Sequence, residues 1–135
     1  MQAIPAQIRP AFNKALPEQR ATMLALRRMI FYVAQADPRI GEIEESLRWG
    51  EPAYLTTQSK TGSTIRLGVD KASGLAALFF NCNTTLVEEF RQQFGDALQY
   101  SKNRAVLVDP MKSETSKALR MCIASALTYH LRKKS

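Results

Sequence analysis

Two cysteines, one histidine and a scatter of acids and bases carry whatever chemistry this chain performs. Cys82 sits in Asn81-Cys82-Asn83-Thr84-Thr85, a polar junction after an apolar run. A strand end leading into a helix start presents free N–H groups with positive partial charge, so an anion would bind there. A thiol aimed at that field would ionise more readily. The plainer reading is an ordinary turn made of Asn and Thr. A thiol enzyme would need His130 as base within hydrogen-bond reach of Cys82. His130, at the end of the last apolar stripe, reads as a partly buried side chain instead. Trp49, Glu51 and Tyr54 cluster in Ser46-Leu47-Arg48-Trp49-Gly50-Glu51-Pro52-Ala53-Tyr54-Leu55. They either pack a helix onto a sheet or face a shared cleft. Joined by Arg66, Asn81, Cys82, Asn83 and Arg104, they form a candidate ligand lining, an aromatic wall with polar groups that fix orientation. Glu42, Glu44, Glu45 and Glu51 offer oxygen to a hard cation. Neighbouring helix positions diverge, so neither a metal site nor a cofactor is expected.

These residues need elements to hold them. A short helix over residues 5 to 16 has Ile8, Phe12 and Leu16 on one face, with Pro10 against it. Pro17 fits the first position of a second helix reaching Ala36, with Met23, Leu26, Ile30, Val33 and Ala34 on its buried face. Arg20 and Arg27 flank that face as part of a solvated polar surface or a docking surface for an acidic partner. Asp37-Pro38 predicts a third helix, with Ile40, Ile43 and Leu47 on one face and its end near Trp49, where Gly50 fits a left-handed cap. Pro52 then starts a strand. Ser63 to Val69 alternates and Leu75 to Phe80 is continuously apolar, which predicts a hairpin with a central strand. Thr85 and Glu88 have capping-box spacing ahead of a helix from Leu86 to Phe94, with Gly95 as its cap. A second hairpin spans residues 98 to 108. A last helix over residues 113 to 131 carries Leu119, Cys122, Ile123, Ala126, Leu127 and His130 in one stripe. The sum is a single α+β domain over residues 1 to 135: N-terminal helices, an antiparallel sheet of about five strands, a short inserted helix and a C-terminal helix packed on the sheet.

Trp-x-x-Pro-x-Tyr at residues 49 to 54 resembles the YdhG-like domain family, whose members mostly have no established function. So do Gly62-Ser63-Thr64-Ile65-Arg66-Leu67, Ala77-Leu78-Phe79-Phe80-Asn81-Cys82-Asn83-Thr84 and Ala126-Leu127-Thr128-Tyr129-His130. The likeness covers residues 20 to 131. It implies a small α+β domain with an antiparallel sheet. One branch of the family is described as frataxin-like iron chaperones, which implies iron binding as the alternative function. Only 12 acidic residues oppose 19 basic ones here, a departure from the carboxylate-dense surface that hard iron prefers.

Composition narrows the classes further. Apolar residues make up 45% and charged residues 23%, the balance of a globular domain. No apolar run approaches a membrane span, and Met1 to Pro5 does not read as a secretion signal. The cysteines lack metal-ligand spacing, and the cytoplasm is the expected compartment. A net charge of +7 invites nucleic acid. The positive residues are scattered, however, apart from a basic tail at Arg132, Lys133 and Lys134, and no basic stripe is interleaved with aromatics. There is no phosphate loop, metalloprotease helix or nucleophile elbow. The expected function is a non-enzymatic module binding a small ligand or a protein partner, as a monomer or homodimer.

Overall fold

Apolar side chains at three- and four-residue steps, opened by Pro17 and closed at Asp37, form the long helix α2, Pro17–Ala36. A computed structural model describes residues 3 to 133. A single turn-and-a-half helix, α1 (Arg9–Asn13), precedes α2. It is shorter than the apolar spacing predicts. Arg20 folds back on it and donates to the carbonyls of Phe12, Asn13 and Ala15, which supplies partners for its C-terminal end.

The sheet has six strands, all antiparallel: β1 (Glu44–Arg48), β2 (Glu51–Leu55), β3 (Ile65–Val69), β4 (Ala76–Phe80), β5 (Gln99–Ser101) and β6 (Ala105–Val108). Their spatial order is β1-β2-β3-β4-β6-β5. The wholly apolar β4 lies inside the sheet and is buried along its length. The helix α3 (Leu86–Phe94) follows β4, and α4 (Ser116–Leu127) and α5 (Tyr129–Arg132) close the chain. One main core, which includes Ile30, Phe31, Tyr54, Leu78, Phe80 and Ile123, joins the helices to one sheet face. The opposite face holds a small separate cluster of Ala77, Phe79 and Ala105. Among the described residues no helix is long and apolar enough to cross a membrane.

Four expectations need correction. The helix expected from Pro38 to Trp49 is a turn followed by β1, which is the sixth strand. Ile40 is buried, but Leu47 is exposed, so the presumed apolar face does not exist. Trp49 and Gly50 both have positive φ, at 57° and 76°, and Arg48 pairs with Glu51. That is the two-residue hairpin turn whose backbone twist matches the strands. Gly50 is therefore left-handed as expected, but it closes a hairpin rather than a helix. Second, Thr85 precedes α3 without forming a capping box, because its hydroxyl is bonded to Glu89 rather than to the helix backbone. Third, the last helix breaks at Thr128, whose hydroxyl donates to the carbonyl of Ala124 at 2.7 Å. The break carries His130 out of the apolar stripe, and it is exposed. Fourth, Arg27 is not a solvated flank of α2, being only 3% exposed.

Buried titrating groups give the core a pH signature. Burial pushes the Cys122 thiol up from its ordinary 9.0 to about 12. Burial, with the Glu45 carboxylate adding to it, also raises the Tyr54 phenol. Both groups stay neutral in the folded chain while the unfolded chain ionises them. Their contribution is whole below about pH 8.5 and is lost as pH rises, by about 1.4 kcal/mol per pH unit for each group once its unfolded form titrates. Urea unfolding should therefore show a loss of roughly 2 kcal/mol between pH 8.5 and pH 10. Cys122→Val should remove most of that loss, and an unchanged alkaline slope in the variant would refute this origin.

Candidate functional site

Pro52 decides where the cleft lies. The pair that closes a two-residue hairpin exchanges both backbone bonds, so Arg48, Ser46 and Glu44 bond toward β2. Alternation then turns the backbone of Pro52 and Tyr54 toward β3. Pro52 has no N–H to give. The β2–β3 ladder accordingly covers only Ala53↔Arg66 and Tyr54↔Ile65 and stops short of Pro52. Beyond that point the strands part, and a cleft of about 1090 Å³ opens between the hairpin tip and β3. Two side-chain bonds bracket it. Lys14 Nζ donates to the Gly50 carbonyl at 3.2 Å, and Gln19 Nε2 donates to that of Gly74 at 2.8 Å.

The buried lining residues Ala11, Met23, Leu67 and Phe80 give an apolar floor, and Lys14, Arg48, Trp49, Lys71, Cys82 and Arg104 stand exposed around it. Glu51 and Arg66 form an ion pair within the lining, both half-buried. The Glu51 side chain crosses over Gly68 to make it, since a Cβ there would collide with the carboxylate. Phe79, in the cluster on the open sheet face, anchors both arginines. The Arg66 guanidinium lies 5.5 Å from its ring centroid and that of Arg104 lies 5.3 Å from it. Arg66 is thus neutralised by Glu51, whereas Arg104 makes no ion pair among the described residues. Five cationic side chains, Lys14, Arg48, Arg66, Lys71 and Arg104, face a single carboxylate, Glu51.

Of the eight residues proposed from sequence, the structure brings Trp49, Glu51, Arg66, Asn81, Cys82 and Arg104 to this cleft. Tyr54 does not line it. It points to the helices, with its hydroxyl donating to Glu45 at 2.8 Å and its ring edge-on to Phe31. Asn83 also lies outside the lining; its N–H donates to Asn81 Oδ1 at 2.9 Å, a local turn bond. Trp49 packs no helix onto the sheet and is 89% exposed at the hairpin tip. Lys14 at the end of α1, Gln19 and Met23 on α2, and Lys71 after β3 carry no motif that links them to the cleft.

The anion reading of the α3 start fails on local grounds. The Thr85 N–H donates to the Tyr129 hydroxyl at 3.3 Å, the Leu86 N–H points to Thr84 Oγ1 at 3.4 Å, and Glu88 and Glu89 place negative charge in the first turn. Glu89 in turn pairs with Arg132 at 3.1 Å and Lys133 at 3.2 Å, which occupies that much of the basic tail; Lys134 lies outside the described residues. No hydrogen bond joins Cys82 to His130 among the described residues, and His130 is not part of the lining. Glu45 is bonded to Arg27 and Glu51 to Arg66, so the acids near β1 do not converge. Among the described residues no group of three or more His, Cys, Asp or Glu is placed to hold a metal ion.

Fold and site together define an α+β domain with a cationic cleft at a split in its antiparallel sheet. No family model, no curated protein and no solved structure matches this chain.

Proposed function

We propose that this protein is a non-enzymatic binding module whose cleft takes a small anionic organic ligand. The observation that carries the reading is Arg104. It is held against the Phe79 ring at the cleft and makes no ion pair among the described residues, Asp70 outside the lining acting on it only through space, while the one acid of the lining is spent on Arg66. A guanidinium positioned in this way binds carboxylate or phosphate oxygens through two parallel bonds. The apolar floor at Met23, Leu67 and Phe80 suits a ligand with a hydrocarbon or ring body behind its anionic group. The YdhG-like resemblance of residues 20 to 131 accords with a binding domain, and the dispersed acids give the iron-chaperone alternative no support from the site.

The test is native mass spectrometry of protein purified gently from its own host, against a denatured control. A retained small anionic mass in the wild type, lost in Arg104→Ala, supports the reading. Loss of one charge-assisted pair predicts about ten- to a hundredfold weaker binding. Thermal stability should hardly change, since an exposed cation–π contact contributes about 0.5–1 kcal/mol. An empty wild-type spectrum, or a ligand that Arg104→Ala still retains, would overturn the assignment, and an iron mass would favour the chaperone alternative.

A further inference from the structure

We propose that the free edge of β1 pairs antiparallel with β1 of a second copy of this chain, about a two-fold axis through Ser46, so that two six-stranded sheets become one. β1 is an outer strand of the sheet, and no other described strand lies beside it. Because Glu44, Ser46 and Arg48 bond toward β2, the N–H and C=O groups of Glu45 and Leu47 point away from the sheet. An axis through Ser46 sets Glu45 of one copy opposite Leu47 of the other, and each pair exchanges both of its outward bonds. The hydrogen-bonding phase of the strand and the axis position agree.

The side chains choose this axis over its neighbours. With Ser46 opposite itself, Glu44 faces Arg48 of the second copy and Arg48 faces Glu44, on the same sheet surface and in the close, non-hydrogen-bonded type of pair. All three side chains of that surface are then matched. An axis through Glu45 would oppose like charges, and one through Leu47 would leave Glu44 without a counter-charge. Charged residues on an outer strand commonly guard against unwanted pairing. In this strand the charges are self-complementary, so they admit one partner in one register, which is a second copy. One further feature fits: Leu47, next to the axis, is 42% exposed and would gain cover from the second strand.

Sedimentation velocity over a concentration series tests the proposal. The wild type should self-associate, more weakly as salt rises. Arg48→Glu and Glu44→Arg each create two like-charge pairs per dimer and should each weaken association by about tenfold or more. Combining them in one chain restores opposite charges and should restore the dimer. Mixing the two single variants should yield a heterodimer in preference to either homodimer. Circular dichroism serves as the folding control, since both side chains are exposed. A wild type still monomeric at about 100 µM, single variants that dimerise as well as the wild type, or a double variant that stays monomeric would each overturn it.

Discussion

Gly62→Ala should cost this protein about 3–5 kcal/mol, among the largest effects open to one added methyl. A Cβ at Gly62 would stand 2.5 Å from both Leu127 Cα and Leu127 O, backbone atoms that have no rotamer with which to yield. The glycine is needed because the loop between β2 and β3 serves as the cap of α4. A helix end leaves its last carbonyls without intrahelical partners. Here the Ser63 N–H donates to the Ala126 carbonyl at 2.8 Å and the Thr61 hydroxyl donates to that of Leu127 at 2.9 Å. In return the His130 N–H donates to the Thr61 carbonyl at 2.8 Å. Pushing the loop away strains or breaks all three, at about 0.5–1.5 kcal/mol each, on top of the overpacking itself. Gly74→Ala is the comparator. Gly74 is left-handed at φ 74° with open space where a Cβ would go, so only backbone strain of about 1–2 kcal/mol is expected. If urea denaturation finds Gly62→Ala no worse than Gly74→Ala, the close approach does not hold the loop. The consequence reaches the cleft, because this loop sets β2, which carries Glu51, against β3, which carries Arg66.

The elements that were legible in the sequence are those whose burial pattern is local. The 3.6-residue repeat of α2, the continuous apolar run of β4 and the Gly95 stop of α3 each report a buried face within a few residues. β1 was not legible because it buries little: it is an outer strand whose one deeply placed side chain is Glu45. With no apolar alternation to read, the chance spacing of Ile40, Ile43 and Leu47 imitated a helix. His130 was misplaced because a single hydroxyl, that of Thr128, ended a stripe that residue spacing alone would continue. The cleft residues contributed by one stretch, Trp49 and Glu51, could be gathered by reading along the chain. Lys14, Gln19 and Lys71 reach it only through tertiary placement. Of the two alternatives for Tyr54, packing against a helix holds and a place in the cleft does not, because once residues 44 to 55 form a hairpin, alternation sends Tyr54 and Glu45 together toward the helices.

Arg27→Ala should be nearly as damaging as Gly62→Ala, at about 3–5 kcal/mol, because it strips the partner from a buried carboxylate. Arg27 Nε and Nη2 donate to the two oxygens of Glu45 at 2.6 and 2.9 Å, and Nη2 also reaches the Ala3 carbonyl at 3.1 Å. The Tyr54 hydroxyl donates to the same carboxylate, and the guanidinium lies 5.0 Å from the Phe31 centroid. The hydrogen bonding of Arg27 to the Glu45 carboxylate is the main cause that raises the Arg27 pKa. Removing the arginine leaves Glu45 in the core edge with only Tyr54 to donate to it. Replacing both charges, as in Arg27→Met with Glu45→Leu, should recover most of the loss, since a buried pair and an apolar pair of similar volume often differ little. A double-mutant cycle in urea reads the difference. A single variant within about 1 kcal/mol of the wild type would refute the argument, and a double variant as unstable as Arg27→Ala would assign the loss to packing instead of charge. More than stability rests on this pair. With Glu45 drawn inward to α2, the alternation of β1 puts Glu44, Ser46 and Arg48 on the other surface and turns the backbone of Glu45 and Leu47 outward. The hairpin turn sets this phase, and the buried arginine holds β1 in place so that its free edge is presented to a second copy. Arg27→Ala should accordingly weaken self-association as well as folding, even where the remaining protein is still folded.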